Sequence, residues 1–327
     1  MGQKAKNKVV IVLAGPTGVG KTELSYHISM QLSVEVISAD SRQLFKGLDI
    51  GTAKPKKSIL KKIPHHFIDI LEPDEYYSAG QFGTDARLQI DKIFHRGKIP
   101  LIVGGSGLYI RAILDGFFSS GSGDTDYRRK LQGRLKAEGS EVLFEELKEI
   151  DFPVAKTIHP RNGKRIIRAL EVYQNSGKPL SVLQREKPAE APNFTALKFG
   201  LTRERTALYQ QINKRVDHMF REGLVEEVRQ VLARGYNKTL NSLNTVGYKE
   251  VIDFLEGKID LETCVELVKR NTRRYAKRQM TWFRAEKNLH WLNLDEGIPL
   301  GDIAEKIINE YWREMNKKDI SEAKQNR

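Results

Sequence analysis

The first segment of the sequence with an obvious chemical use is rich in glycine and lies near the N-terminus. Residues 15–22 match the pattern GxxxxGK[ST] of a phosphate-binding loop. Glycines in such a loop let successive backbone N–H groups converge on phosphate oxygens at a helix N-terminus. We expect Lys21 to place a positive charge on the phosphates and the Thr22 hydroxyl to contact Mg²⁺, the expected cofactor. The predicted phosphate-binding residues are Gly15, Pro16, Thr17, Gly18, Val19, Gly20, Lys21 and Thr22.

A carboxylate, Asp40, follows the second predicted strand. The carboxyl ends of parallel strands share one crevice with the phosphate loop, so Asp40 should face whatever Lys21 and Thr22 hold. Three interpretations stay open from spacing alone. Asp40 is a general base on a nucleophile, it binds Mg²⁺ through water, or it forms an Asx turn.

The loop pattern leaves open which phosphate compound the phosphate loop binds. Nucleotide hydrolases normally have an apolar strand that ends in an aspartate directed at Mg²⁺. Here the best such strand, residues 99–103, runs into Gly104-Gly105-Ser106, and Asp69 has only a weak strand before it. A loop in this setting can hold a diphosphate that leaves, whereas a kinase would transfer the γ-phosphate of ATP.

The elements that must position these residues alternate between strand and helix. Apolar β-branched runs of the kind found in buried parallel strands are followed by stretches with helical spacing. This order predicts an α/β fold: a parallel sheet like that of P-loop NTPases, flanked by helices with right-handed crossovers. The predicted strands are residues 9–13, 34–37, 67–70, 99–103, 196–201 and 291–294. The predicted helices of this part are residues 22–32, 82–95, 203–234 and 261–287.

Between the fourth and fifth predicted strands the composition changes. A Gly/Ser-rich segment, residues 119–124, is a plausible hinge, and the pattern is then helical and charged as far as residue 184. We therefore divide the chain into a catalytic core, residues 1–116 and 195–327, and a helical insertion domain, residues 117–194.

Positive charge is concentrated on one predicted helix. Six basic residues of the segment 261–287 fall within an arc of roughly 140° at helical spacing, with no acidic residue between Glu266 and Glu286. A solvated stripe usually alternates in sign, so a groove for a phosphate backbone is favoured. These residues are Arg270, Arg273, Arg274, Lys277, Arg278 and Arg284. A second basic cluster, in the insertion, comprises Lys164, Arg165 and Arg168.

Composition narrows the class of protein. The chain has 55 Lys and Arg against 42 Asp and Glu, a net charge of +13, which favours a polyanionic partner. The lone cysteine, Cys264, excludes an internal disulfide framework. No apolar run is long enough to span a membrane, so we expect a cytoplasmic protein without a membrane partner. A monomer is the default expectation.

Six segments, in order over about residues 9–294, closely resemble the bacterial tRNA dimethylallyltransferases (tRNA isopentenyltransferases): GPTGVGKTEL, ISADSRQLFKGLDIGTAKP, YYSAGQF, PLIVGGSGLYI, VGYKE and AKRQMTWFR. The resemblance implies transfer of a dimethylallyl group from dimethylallyl diphosphate to N6 of the adenine just 3′ of the anticodon, position 37. It implies that residues 15–22 bind the donor diphosphate, with Mg²⁺ at Thr22. The tRNA anticodon stem-loop would be the partner.

The same resemblance assigns roles to individual residues. Asp40 would accept the N6 proton and hold the flipped adenine, and Arg215 would face the diphosphate. Ser106 takes the place of a threonine that is usual in the family and keeps its hydroxyl. Asp40, Ser106 and Arg215 are thus the implied catalytic residues. The implied tRNA-contacting residues are Asp40, Ser41, Arg42, Gln43, Ser106, Arg128, Lys164, Arg165, Arg168, Gly247, Lys249, Lys277, Arg278 and Arg284.

Three other functions remain as rivals. An adenylate isopentenyltransferase uses the same donor with a free nucleotide, which needs neither a helical insertion nor a basic helix. A P-loop kinase would bind ATP, and the GGSG strand end fits it poorly. A non-catalytic RNA-binding protein leaves the phosphate loop beside Asp40 without a purpose.

Overall fold

The computed structural model describes residues 8–116, 125–186, 192–295 and 297–325. In these ranges a parallel sheet has six strands in the order β3-β2-β4-β1-β5-β6. Every paired neighbour is parallel, which confirms the predicted α/β fold class. The strands are β1 (Val9–Ala14), β2 (Val34–Ala39), β3 (His65–His66), β4 (Ile99–Gly104), β5 (Thr195–Thr202) and β6 (His290–Asn293).

Both faces of the sheet are covered, which explains the continuous apolar runs. In β1, Val10 and Val12 belong to one apolar cluster, while Val9, Ile11 and Leu13 belong to the other. A strand buried on both faces requires apolar side chains at every position rather than at alternate ones. The helices around the sheet are α1 (Lys21–Ser29), α2 (Lys57–Lys62), α3 (Ala79–His95), α4 (Gly107–Leu114), α10 (Arg205–Arg221), α11 (Leu224–Ala233), α12 (Tyr248–Leu255), α13 (Leu261–Arg284) and α14 (Leu300–Gln325).

Two predicted elements are wrong in detail. The third strand is residues 65–66 and not 67–70, because Phe67 and Asp69 have φ of 66° and 55° and turn the chain out of the sheet. The predicted helix 203–234 is two helices, α10 and α11, separated at Gly223 with φ 101°. That left-handed conformation suits glycine and ends the first helix.

The chain divides into two compact units. The first comprises Met1–Leu114 and Pro192–Arg327, and the second comprises Asp115–Ala191. The helices of the second unit are α5 (Thr125–Ala137), α6 (Ser140–Ile150), α7 (Phe152–Ala155), α8 (Gly163–Ser176) and α9 (Leu180–Leu183). They enclose an apolar core of their own. The expected hinge at residues 119–124 lies outside the described residues.

No helix within the described ranges combines the length and the apolar composition that crossing a bilayer requires.

Candidate functional site

The loop with the phosphate-binding pattern, the phosphate loop, joins β1 to the N-terminus of α1, where the sequence pattern places it. Gly18 and Gly20 have φ of 78° and 111°, conformations that side chains rarely adopt. At Gly18 a Cβ would also stand 2.9 Å from the Ile212 side chain. The Lys21 ammonium donates hydrogen bonds to the carbonyls of Gly15 (2.9 Å) and Pro16 (2.8 Å), and so closes the loop on itself.

Three charged groups meet beside this loop. Burial lowers the pKa of Lys21 to about 7, Asp40 opposes the shift, and Arg215 adds to it. Burial also lowers the pKa of the Arg215 guanidinium, again against the attraction of Asp40. Arg215 donates to the Thr17 hydroxyl at 3.3 Å. The structure therefore brings Lys21, Asp40 and Arg215 to the phosphate loop, where Asp40 attracts both cations and Glu23 also attracts Arg215.

Asp40 lies at the end of β2 and forms the Asx turn. Its Oδ1 accepts the backbone N–H of Arg42 at 2.9 Å. Burial raises the pKa of Tyr109 and of Tyr275 to about 12, and the Asp40 carboxylate contributes to both shifts. Asp40 is thus both a turn residue and part of a partly buried group of polar side chains at the loop.

Ser106 lies next to Asp40 across the sheet. Ala39 pairs with Gly104 in the β2–β4 register, and the Ser106 N–H donates to the Ala39 carbonyl at 3.2 Å. A Cβ at Gly104 would overlap that carbonyl, so glycine permits the close approach of the two strand ends. The hydroxyl-bearing turn before α4 and the Asp40 turn are therefore directly joined.

The side chains of Arg42 and Gln43 make hydrogen bonds within the protein. Arg42 donates to the carbonyl of Asn241 at 2.6 Å, and burial lowers the pKa of its guanidinium. The Gln43 amide accepts from the Ser38 hydroxyl at 2.9 Å and donates to the Ala53 carbonyl at 3.2 Å. Ser41 is half-buried beside them. Their predicted contact with RNA stays a prediction.

The VGYKE segment begins α12. Gly247 has φ 100°, and its N–H donates to the Glu250 carboxylate at 2.7 Å. Glu250 also accepts from the Asn271 side chain at 2.8 Å and lies 3.6 Å from the Lys249 ammonium. Gly247 thus has a backbone role, while Lys249 is exposed on one side.

The basic helix is α13, and its two faces are as the periodicity predicts. Cys264, Val268, Ala276 and Phe283 are buried. Arg273 is the exception on the cationic side, because it is half-buried and donates to the Asn213 side chain at 2.6 Å. The exposed cations are Arg270, Arg274, Lys277, Arg278 and Arg284.

In the second unit the predicted tRNA-contacting residues lie on α5 and α8. Arg128 and Arg168 each approach the buried carboxylate of Glu171 to 3.6 Å. Lys164 and Arg165 are exposed at the start of α8, where Asn162 caps the helix by accepting the Arg165 N–H at 3.3 Å. Part of this cluster is therefore balanced by an internal acid, and part faces solvent.

The sequence patterns assign no individual role to several residues of the site, although Gln279 and Tyr248 lie in the segments AKRQMTWFR and VGYKE. The Gln279 side chain contacts the phosphate loop from the buried side of α13. Glu227 and Tyr248 hold the loop at residues 49–51. Asp69, the other aspartate considered for Mg²⁺, instead pairs with the buried Lys54 ammonium.

The fold and this geometry define a class: an α/β protein with a loop of the phosphate-binding sequence pattern, an acid at the neighbouring strand end and a separate helical unit between β4 and β5. The family model described as IPP transferase matches residues 43–286. That range begins after the phosphate loop and Asp40, so the match is independent of both. The chain belongs to the IPP transferase family.

Relatives match over nearly the whole chain. A tRNA dimethylallyltransferase of Pelotomaculum thermopropionicum is 46% identical over 308 residues, which cover 94% of this chain and 98% of that protein. One of Thermotoga maritima is 45% identical over 299 residues, covering 91% and 96%.

Solved structures are also similar to this chain over most of its length. A full-length tRNA isopentenylpyrophosphate transferase from Bacillus halodurans superposes with a TM-score of 0.71 at 37% identity, covering 97% of this chain and 100% of that one. A eukaryotic dimethylallyltransferase, captured in crystallographic snapshots acting on tRNA, gives a TM-score of 0.77 at 30% identity, covering 89% of this chain and 75% of that one.

Proposed function

We propose that this protein transfers the dimethylallyl group of dimethylallyl diphosphate to N6 of adenine 37 in tRNA, forming N6-isopentenyladenosine and diphosphate. The observation that carries the proposal is the placement of Asp40 and Ser106 beside the phosphate loop, in a chain of the IPP transferase family. One side of the site supplies cations for a leaving diphosphate, and the other supplies groups for an acceptor.

The first half of the chemistry is departure of the diphosphate. The bond between the allylic carbon and the diphosphate oxygen breaks, and negative charge grows on the leaving oxygens. Lys21, Arg215 and the loop N–H groups stabilise that charge, as preorganised donors do best in a site shielded from water. Lys21 would exchange its bonds to the Gly15 and Pro16 carbonyls for the phosphate oxygens.

The second half is attack by the exocyclic amine. N6 forms a bond to the same allylic carbon and becomes cationic, so it must lose a proton. The Asp40 carboxylate accepts that proton as general base. The Ser106 hydroxyl, one backbone hydrogen bond from the Asp40 strand end, orients the amine. The adenine must leave its stack to reach this position.

Mg²⁺ fits the donor set as a partner of the diphosphate. The described residues contain no group of three or more His, Cys, Asp or Glu side chains that could hold a metal ion. Mg²⁺ is typically held by one or two protein oxygens together with substrate phosphates and waters; the Thr22 hydroxyl would supply such an oxygen, and Asp40 would reach the ion only through a bound water. When bound, the ion supplies further charge neutralisation for the leaving diphosphate.

The tRNA partner accounts for the exposed cations. Shape and backbone contacts dominate recognition of an RNA stem, while the loop bases can be extruded. The exposed face of α13 and the exposed residues Lys164 and Arg165 of the second unit supply the charge for an anticodon stem-loop. We expect a monomer that acts in the cytoplasm, where its substrate is.

A transfer assay tests the proposal. Radiolabelled dimethylallyl diphosphate and Mg²⁺ are incubated with the protein and either unmodified tRNA with adenine at position 37, the same tRNA with guanine there, or free AMP. Label in the adenine-37 tRNA alone is the expected result. Label in AMP alone would make the protein a nucleotide prenyltransferase, and label in none of them would reject prenyl transfer.

A further inference from the structure

The Gln279 amide joins two loops of the site from the buried side of α13. Its Oε1 accepts the backbone N–H of Thr17 at 2.9 Å, and its Nε2 donates to the carbonyl of Gly105 at 2.8 Å. The residue is 7% exposed; its bond to Gly105 is buried and its bond to Thr17 is partly buried. One side chain thus connects the phosphate loop to the turn that carries Ser106.

Both partners of the contact between Gln279 and Gly105 are suited to it. A Cβ at Gly105 would overlap the Gln279 amide nitrogen, so this turn accepts the amide because it has no side chain there. The segment 277–284 resembles an RNA-contacting stretch, but Gln279 faces the protein interior, whereas the two residues before it, Lys277 and Arg278, are exposed. The helix therefore presents cations outward and an amide inward within three consecutive residues.

Thr17 is held by two helices that are themselves joined. Gln279 of α13 takes its N–H, and Arg215 of α10 donates to its hydroxyl at 3.3 Å. Between the helices, Arg273 donates to Asn213 at 2.6 Å and Lys269 pairs with Asp217 at 2.8 Å. A displacement of α13 would therefore move the phosphate loop directly through Gln279 and also through α10 and Arg215.

We propose that Gln279 is a positioning residue that couples RNA bound on the exposed face of α13 to the phosphate loop, so that tRNA and the diphosphate each tighten the binding of the other. This inference rests on the proposed function for the identity of the two ligands. Gln279 touches neither of them. It acts by fixing Thr17 and the Gly105 carbonyl relative to each other.

The test measures binding rather than turnover. Dissociation constants of inorganic pyrophosphate with Mg²⁺ are measured for the full chain by titration calorimetry, with and without saturating unmodified tRNA. In the wild type we expect tRNA to lower the pyrophosphate constant about 5-fold or more, the lower end of usual couplings. In Gln279→Met, which keeps the bulk but loses both bonds, we expect pyrophosphate to bind about 10-fold more weakly, since two hydrogen bonds are lost.

Three further measurements make the outcome decisive. The tRNA dissociation constant of Gln279→Met should stay within about twofold of wild type, and the coupling should disappear. Gly105→Ala should reproduce the effect by displacing the amide, which covers the case that Gln279→Met does not fold. Met280→Leu, an apolar exchange at the next position of α13, serves as the control and should leave all constants unchanged.

Equal pyrophosphate affinity in wild type and in both variants would overturn the positioning role. A wild type in which tRNA leaves pyrophosphate binding unchanged would overturn the coupling. Failure of the transfer assay would instead reject the proposed function, because these binding constants do not depend on prenyl transfer.

Discussion

At the scale of single residues, Asp40 combines a structural and a chemical task, and the two can be separated. Its Oδ1 accepts the Arg42 N–H, a bond that an asparagine oxygen can also accept. An amide cannot take up a proton as a carboxylate does. Asp40→Asn should therefore keep the turn and the tRNA dissociation constant but lower single-turnover transfer by about 10²-fold or more. If the single-turnover transfer rate of Asp40→Asn stayed within a few-fold of wild type, the role of Asp40 would be limited to forming the turn.

Lys21 gives the site a pH dependence whose sign follows from its environment. Burial lowers its pKa to about 7 in the protein without ligand. A bound pyrophosphate favours the ammonium and raises that pKa, so binding takes up a proton and weakens as pH rises above about 7. Pyrophosphate titrations from pH 6 to 9 should show this loss more steeply in wild type than in Lys21→Arg, whose guanidinium stays charged. Parallel curves for the two proteins would contradict it.

The sequence predicts those site residues that are defined by local spacing. The phosphate loop is eight consecutive residues between a strand and a helix, so its pattern is complete in the sequence. Gln279 and Arg42 are different, because their partners, Thr17 and Asn241, lie 262 and 199 positions away along the chain. Only the packing of α13 against the loop, and of residues 41–43 against residue 241, defines what these side chains do.

At the scale of elements, the loop before α2 is held by one carboxylate. Glu227 of α11 accepts the N–H groups of Asp49 (2.9 Å), Ile50 (2.7 Å) and Gly51 (3.0 Å), and also the Tyr248 hydroxyl (2.6 Å). The tyrosine ring fills the space where a Cβ of Gly51 would be. Burial and the nearby carboxylate raise the pKa of Tyr248 well above its usual value.

Removal of parts of this cluster should cost stability in a graded way. Tyr248→Phe loses one hydrogen bond and should lower the free energy of unfolding by about 1 kcal/mol. Glu227→Ala leaves three backbone N–H groups and a buried hydroxyl without their acceptor and should cost about 3 kcal/mol. Urea unfolding followed by circular dichroism measures both. A smaller loss for Glu227→Ala than for Tyr248→Phe would show that the loop does not depend on the carboxylate.

The sequence predicts an element boundary well where burial of the side chains sets the hydrophobic pattern. It predicts the boundary poorly where the backbone conformation of a single residue ends the element. The strands β1 and β4 carry no charged residue and match their predicted ranges to within one residue, whereas β2, which contains Glu35 and Ser38, extends two residues beyond its predicted end. The end of β3 depends on a positive φ at Phe67, which a β-rich composition does not reveal. The break between α10 and α11 depends on Gly223 within an otherwise helical pattern, where a tolerated glycine and a helix end look alike.

At the scale of the whole molecule, the excess of 55 basic over 42 acidic side chains belongs mostly to the first compact unit, which carries +11, whereas the second, with 14 basic and 12 acidic side chains, carries +2. In the first unit it includes the exposed face of α13. In the second it includes Lys164 and Arg165, whereas Arg128 and Arg168 are partly balanced by Glu171. If both units contact the tRNA backbone, each exposed cation contributes its own share of counterion release.

The two units should therefore contribute additively to tRNA affinity. Arg274→Ala with Arg278→Ala, and Lys164→Ala with Arg165→Ala, should each lower the slope of log K against log salt by about 1.5, at roughly 0.7–0.9 per phosphate contact. All four changes together should lower it by about 3, because sites in separate units act independently. Filter-binding titrations of unmodified tRNA from 50 to 300 mM KCl provide the slopes.

The matched control removes the same charge elsewhere on the surface. Lys306 and Arg313 are exposed on α14, where Asp302, Glu305 and Glu310 surround them, so the local field is close to neutral. Their double alanine variant should leave the slope unchanged within error. If the salt slope fell equally in this control, tRNA binding would respond to net charge alone. If the slope fell only in the α13 and α8 double variants, the RNA footprint would include both units.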